Sequence, residues 1–267
     1  MKYSKKEPIK EDIEITQTKI KNLKSIYLMS YNIRWNSMEN PTLQNNIISN
    51  IINAITHYNL DIIGLQEAYK WKKILKHIDL KKYDYITNKS GKEEMVTLWN
   101  KHKFIKIKAY AAEFEDGRPL ALILLKNISN NNIMCVINLH ASHNINTQKH
   151  ITDIINNKLK QIHINFDQIT MIGDFNRNVT IDDESDYILY HNDINNNKKS
   201  KSEIIKKYVM KRQHNISKNT CCSIHGYGYK YDYDHIINSN KTINKIIITD
   251  TWYEKISSDH LMIIGEL

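Results

Sequence analysis

The chain has 267 residues, 41% of them hydrophobic and 25% charged, so a sizeable core is available and wholesale disorder is excluded. Its 38 Lys and Arg exceed 29 Asp and Glu for a net charge of +9, which suits a polyanionic partner, nucleic acid or anionic lipid, or simply reflects a Lys-, Asn- and Ile-rich coding bias. Three cysteines exclude a disulfide scaffold, the adjacent Cys221 and Cys222 lack a CxxC partner for structural zinc, and no apolar run reaches the ~18 residues of a membrane span.

Residues 1–24 are charged and lack the apolar core of a signal peptide, so they read as a polar, mobile leader on an intracellular protein of cytoplasm or nucleus. Gly (7) and Pro (3) are scarce and no linker interrupts 25–267, which therefore reads as one domain. Residues 26–29 predict a strand. Residues 42–58 place Leu43, Ile47, Ile48, Ile51, Ile52 and Ile55 at helical spacing. Further strands are predicted at 62–65, 95–99, 110–114, 120–125 and 133–139, a long helix over 147–166, and a strand at 169–172. The polar stretch 182–219 reads as a surface insertion, and 231–237, 245–248 and 261–267 supply closing strands.

The apolar strands share an unusual ending. They run out on Asn32, Glu67, His140, Asp174 and Asn176, and two later ones carry or follow Asp234-His235 and Asp259-His260. Ordinary strand ends bear turn formers without a chemical theme. Seven positions of matching chemistry can line one pocket if the sheet edges converge.

In chain order, Ser30-Tyr31-Asn32-Ile33-Arg34, Asp61-Ile62-Ile63-Gly64-Leu65-Gln66-Glu67, Ile137-Asn138-Leu139-His140, Gly173-Asp174-Phe175-Asn176, Tyr233-Asp234-His235-Ile236-Ile237 and Ser258-Asp259-His260 carry this pattern. The series resembles the endonuclease/exonuclease/phosphatase superfamily, the metal-dependent phosphoesterases typified by deoxyribonuclease I. The resemblance implies an α/β (α+β) fold, a four-layered αββα sandwich of two mostly antiparallel sheets with helices outside. It implies Mg²⁺ or Mn²⁺ held by Glu67 with Asn32 beside it and Asp259 nearby, an oxygen set suited to a hard cation. Asp174 and Asn176 match the pair that orients the attacking water and holds the phosphate. His260 pairs with Asp234, and His140 with an acid best matched by Glu93, with Glu94 one residue on as the alternative.

Gly117-Arg118-Pro119 and His140-Ala141-Ser142 are similar to the catalytic subunits of cytolethal distending toxins, which makes Arg118 a phosphate contact or else a loop-tying arginine. Lys70, followed by Lys72 and Lys73, either contacts phosphate from a helix or lies on a solvated face. Tyr69 and Gly91 stand where pancreatic-type enzymes insert an arginine and a tyrosine into the minor groove, so that contact is not implied. The expected activity is hydrolysis of DNA phosphodiesters by a monomer. The alternatives are a phosphatase of phosphoinositides or another phosphoester, a deadenylase or a tyrosyl-DNA phosphodiesterase. A non-catalytic nucleic-acid-binding module is a distant third.

Overall fold

A computed structural model describes residues 25–91, 93–143, 151–177, 188–193, 204–209, 219–222, 231–240, 243–248 and 257–267, and the statements below concern those residues. The leader 1–24 lies outside them. The first sheet is built from β1 (Tyr27–Asn32), β2 (Ile62–Gln66), β3 (Tyr83–Ser90), β4 (Glu93–Asn100), β12 (Asn244–Ile248) and β13 (Met262–Glu266), in the order β12-β13-β1-β2-β4-β3. The second holds β5 (Phe104–Glu113), β6 (Pro119–Asn127), β7 (Ile133–His140), β8 (Gln168–Asp174) and β11 (Asp234–Asn238), in the order β11-β8-β7-β6-β5. The helices are α1 (Pro41–Tyr58), α2 (Trp71–Leu75) and α3 (Ile151–Leu159).

Period-two alternation explains why the strands read as unbroken apolar runs. Leu28, Ile62, Trp99, Ile123, Val136, Ile172, Ile236 and Ile263 form the core between the sheets. Their neighbours Met29, Ile63, Leu98 and Ile264 face α1, while Leu122, Ile137, Met171 and Ile237 share a core with α3. Both faces of both sheets are therefore covered, giving the expected helix–sheet–sheet–helix layering. Helix α1 starts where Asn40 accepts from the Thr42 and Leu43 amides at 2.9 and 3.2 Å with Pro41 in the first turn, and it stops at Asn59 in the left-handed region (φ +51°).

Several boundaries differ from expectation. Strand β3 is absent from the sequence reading because its alternation is weak and polar, as an edge strand permits. The helix expected over 147–166 ends at Leu159; tight turns at Gln161 and Ile162 then send Ile162 and Phe166 into the core beneath β8. The part of that expectation at 147–150 lies outside the described residues. The stretch 182–219 contains an antiparallel pair, β9 (Ile188–Asp193) with β10 (Ile204–Val209), rather than loop alone, and buried Leu189 belongs to the α3 core. Cys221 and Cys222 are joined by a disulfide. Linking neighbours, it braces no distant segments, so the absence of a disulfide scaffold stands.

Candidate active site

Strand direction decides where the chemistry collects. All neighbours pair antiparallel except two pairs: β1 with β2, and β7 with β8. The parallel pairs end together, Asn32 opposite Gln66 and His140 opposite Asp174. Their antiparallel neighbours begin at the same edge, so Glu93 opens β4, Arg118 precedes β6, Asp234 opens β11 opposite Asp174, and His260 precedes β13. Eight strand termini thus converge on one rim spanning both sheets. A buried polar link ties the sheets beneath it: Gln66 Nε2 donates to Asn138 Oδ1 at 2.8 Å, and Asn138 Nδ2 donates to Thr97 Oγ1 at 3.0 Å.

Three residues at this rim adopt positive φ without being glycine: Arg34 (+56°), Glu67 (+50°) and Asn176 (+52°). Left-handed backbone is unusual for such residues and concentrates where surroundings over-determine a site. Each lies one or two residues beyond a strand end and turns the chain there. Gly173 (φ +151°) allows a closer approach still, since a Cβ there would lie 2.0 Å from the Leu139 carbonyl oxygen.

Asn32 Nδ2 bridges two carboxylates, donating to Glu67 Oε1 and Asp174 Oδ2 at 3.0 Å each. Asp174 is buried, and its Oδ2 lies 3.6 Å from the Nε2 atoms of both His140 and His260. Burial would raise its pKa, but the two imidazoles and the Asn32 amide hold it below the usual carboxylate range. Asn176 sits beside it, its backbone N–H donating to Asp174 Oδ1 at 2.8 Å and its amide to the Ala141 carbonyl at 2.6 Å.

The two histidines carry opposite proton arrangements. His140 Nδ1 donates to Glu93 Oε2 at 2.8 Å, while Glu94 pairs with Lys89 instead. The guanidinium of Arg118 touches His140 Nε2 and donates to the Ala141 carbonyl at 2.9 Å. Because arginine only donates, Nε2 accepts in this contact. Burial raises Glu93, but the His140 hydrogen bond and the charges of His140 and Arg118 outweigh it and bring Glu93 below its ordinary value. His260 Nδ1 meets Asp234 Oδ2 at 3.0 Å. Burial pulls the imidazole down and pushes Asp234 up, yet the charges of Asp234 and Asp174 win at the ring, which is pushed up to about 10. His260 is an imidazolium at neutral pH.

A hard cation fits the oxygen side of the rim. Glu67 and Asn32 are already in contact, and Asp259 presents a buried Oδ1 without a hydrogen-bond partner while its Oδ2 lies 3.5 Å from Arg34 Nε. Asp174, Asp234 and His260 also bring ligand atoms within 4.8 Å of one another. Lys70 stands apart from this cluster, capping α2 with its Nζ 5.0 Å over the Tyr69 ring. The sequence reading missed Arg34, Ser258, whose hydroxyl donates to the Asn32 carbonyl at 2.8 Å, and Thr220, whose hydroxyl accepts from the Asp234 amide at 3.0 Å. Ser258 and Arg34 lay inside the quoted motifs. A cavity of about 700 Å³ lies at the opposite edge, where Lys103 is paired with Asp61 and Asp167 accepts from the Ile133 amide.

Neither a protein-family model nor a curated protein sequence matches the chain. Solved structures do. An endonuclease/exonuclease/phosphatase family protein from Bacteroides thetaiotaomicron is 17% identical with a TM-score of 0.64, covering 91% of this chain and 97% of its own. A mannosyl-6-phosphatase from the same organism is 17% identical with a TM-score of 0.63, over 90% and 98%. A truncated Caenorhabditis elegans TDP2 is 17% identical with a TM-score of 0.63, over 91% and 97%. Covered over 90–91% of its length by such structures, the chain has the endonuclease/exonuclease/phosphatase fold.

Proposed function

We propose that the chain is a divalent-metal-dependent phosphoesterase that hydrolyses phosphodiester bonds in nucleic acid, DNA first among them. The observation that carries this reading is the pair of His–carboxylate couples, His140–Glu93 and His260–Asp234, set symmetrically 3.6 Å from one Asp174 oxygen and holding their protons differently. Phosphoester hydrolysis needs one group to accept a proton from water and another to give one to the leaving oxygen. His140 Nε2 is poised to accept once an arriving phosphate draws Arg118 away; a guanidinium prefers an anion's two oxygens to a ring nitrogen. His260, charged and backed by Asp234, is poised to donate. Asp174 and Asn176 position the water and the phosphate between them. Glu67, Asn32 and Asp259 would hold Mg²⁺ or Mn²⁺, which offsets the negative charge that builds on phosphorus.

A nucleic-acid substrate is supported by the net charge of +9 and by a groove beginning beside Glu94 and lined by Tyr69, Lys70, Trp71, Lys73 and Lys89. Cations beside aromatic faces suit a backbone of phosphates carrying stackable bases. A phosphatase reading is favoured by a different observation, the mannosyl-6-phosphatase among the similar structures. The test is hydrolysis of supercoiled plasmid, RNA, a soluble phosphoinositide and a sugar phosphate with Mg²⁺ or Mn²⁺, alongside EDTA and Asp174→Asn. Nicking that requires both the metal and Asp174 is expected. Turnover of the sugar phosphate or phosphoinositide alone transfers the assignment to the phosphatases, and activity equal in EDTA overturns the mechanism.

A further inference from the structure

Thr220, Cys221 and Cys222 are woven into the rim next to His260. Cys221 exchanges backbone hydrogen bonds with Tyr231 (2.7 and 3.0 Å), the Cys222 amide donates to the Asp259 carbonyl at 3.2 Å, and the Leu261 amide donates to the Thr220 carbonyl at 2.7 Å. This weave fixes the buried Cys221 Sγ 3.4 Å from His260 Nε2, on the face of the ring opposite Asp234. Cys222 is held at φ +88°, a conformation that a cysteine rarely adopts, and is only half-buried. The two sulfurs and Nε2 all lie within 4.8 Å of one another.

Around a tetrahedral Zn²⁺-like ion, with metal–sulfur and metal–nitrogen distances of ~2.3 and ~2.0 Å, neighbouring ligand atoms stand about 3.5–3.8 Å apart. The existing Cys221–His260 separation already fits, and opening the disulfide supplies the third ligand. We propose that Cys221, Cys222 and His260 form, once the disulfide is reduced, a binding site for a thiophilic divalent cation of the Zn²⁺ or Cd²⁺ class. The site is distinct in chemistry from the oxygen-rich side of the rim: sulfur and imidazole select soft ions, carboxylate and amide oxygens hard ones. Asp234 on Nδ1 completes the carboxylate–histidine–metal arrangement that orients a ligating ring, and the negative Asp174 Oδ2, 3.6 Å from Nε2, favours a cation there.

The steps balance. A phosphine reductant gives an electron pair to the disulfide and takes an oxygen from water to become the phosphine oxide, while each sulfur gains a proton. On binding, both thiols and the Nε2 position release protons to solvent, and the Nδ1 proton stays with Asp234. An ion so placed removes His260 from proton transfer, so under the function proposed above it is an inhibitor; its binding stands independently of that function. Cys135 does not compete, because it is wholly buried in the α3 core, where burial pushes its thiol up.

The test is a Cd²⁺ titration of the full chain after phosphine reduction and removal of the reductant. It is followed by the thiolate-to-cadmium charge-transfer absorption, with the oxidised chain and Cys222→Ser in parallel. One Cd²⁺ per chain with the charge-transfer band is expected only in the reduced wild type, with affinity at least ~10²-fold weaker in Cys222→Ser. The oxidised chain needs no substitution and decides the matter should the variant fail to fold. Absence of the band in folded, reduced protein, or undiminished affinity in the variant or the oxidised chain, overturns the site.

Discussion

Replacing Asp234 by Asn removes one charge 3.0 Å from His260 Nδ1 and conserves its size. At an effective dielectric of ~20 a charge at this range contributes ~4 kcal/mol, and one pH unit corresponds to ~1.4 kcal/mol. The ring should therefore fall from about 10 to about 7 or lower, because burial continues to pull it down while Asp174 alone holds it up. The imidazole proton signals, followed against pH by NMR in metal-free protein, report this directly. Stability gives a second reading. In the wild type the folded chain keeps a proton that the unfolded chain loses above its ordinary histidine value near 6.5, so this stabilisation is complete below pH 6.5. It declines as pH rises towards 10, by up to ~1.4 kcal/mol per pH unit. Urea unfolding should show that slope in the wild type and lose most of it in Asp234→Asn, and phosphoester hydrolysis by the variant should fall at least ~10²-fold. A wild-type ring titrating near 6.5, or a variant ring still near 10, would refute the reasoning.

Other substitutions test the remaining links. Glu93→Gln, which leaves His140 without an anionic partner on Nδ1, should lower kcat by at least ~10²-fold, whereas Glu94→Gln, whose side chain pairs with Lys89 and not with His140, should leave kcat within about tenfold; steady-state kinetics separates the two. Gly173→Ala drives a Cβ to 2.0 Å from the Leu139 oxygen and should cost more than ~4 kcal/mol in urea unfolding, or prevent folding. Asn138→Leu takes one partner each from the buried Gln66 amide, which keeps Ser30, and the Thr97 hydroxyl, and should cost ~1–3 kcal/mol by the same measurement.

The sequence displayed the rim better than the sheet. Asn32, Glu67, His140, Asp174, Asp234 and His260 were visible because strand ends of one chemical theme are rare, and the structure gathers them by strand direction. Glu93 was separable from Glu94 only in three dimensions: on β4 successive side chains face opposite ways, and Lys89 across the strand takes Glu94. Strand β3 escaped because an edge strand needs no apolar alternation. The helix past Leu159 was over-read because Ile162 and Phe166 sit at helical spacing yet are buried by a turning chain. Lys70, close to Glu67 in sequence, lies in the groove beside Glu94 with its Nζ over the Tyr69 ring. Neither the Thr220 hydroxyl nor the Cys221–His260 approach leaves a local pattern, since each depends on partners far away in the chain.

The place of β13 bears on how the protein is made. Its register sets Leu28 opposite Gly265, so β1 stays without its antiparallel neighbour until Met262–Glu266 has left the ribosome. The same last segment brings His260 and Asp259 to the rim. Local pairings such as β3 with β4 and β5 with β6 can form during synthesis, but the β1–β13 seam is closed last and over the longest loop. A nascent chain would thus hold most of its fold while the rim still lacks His260 and Asp259, and under the proposed function the site stays incomplete until that segment emerges.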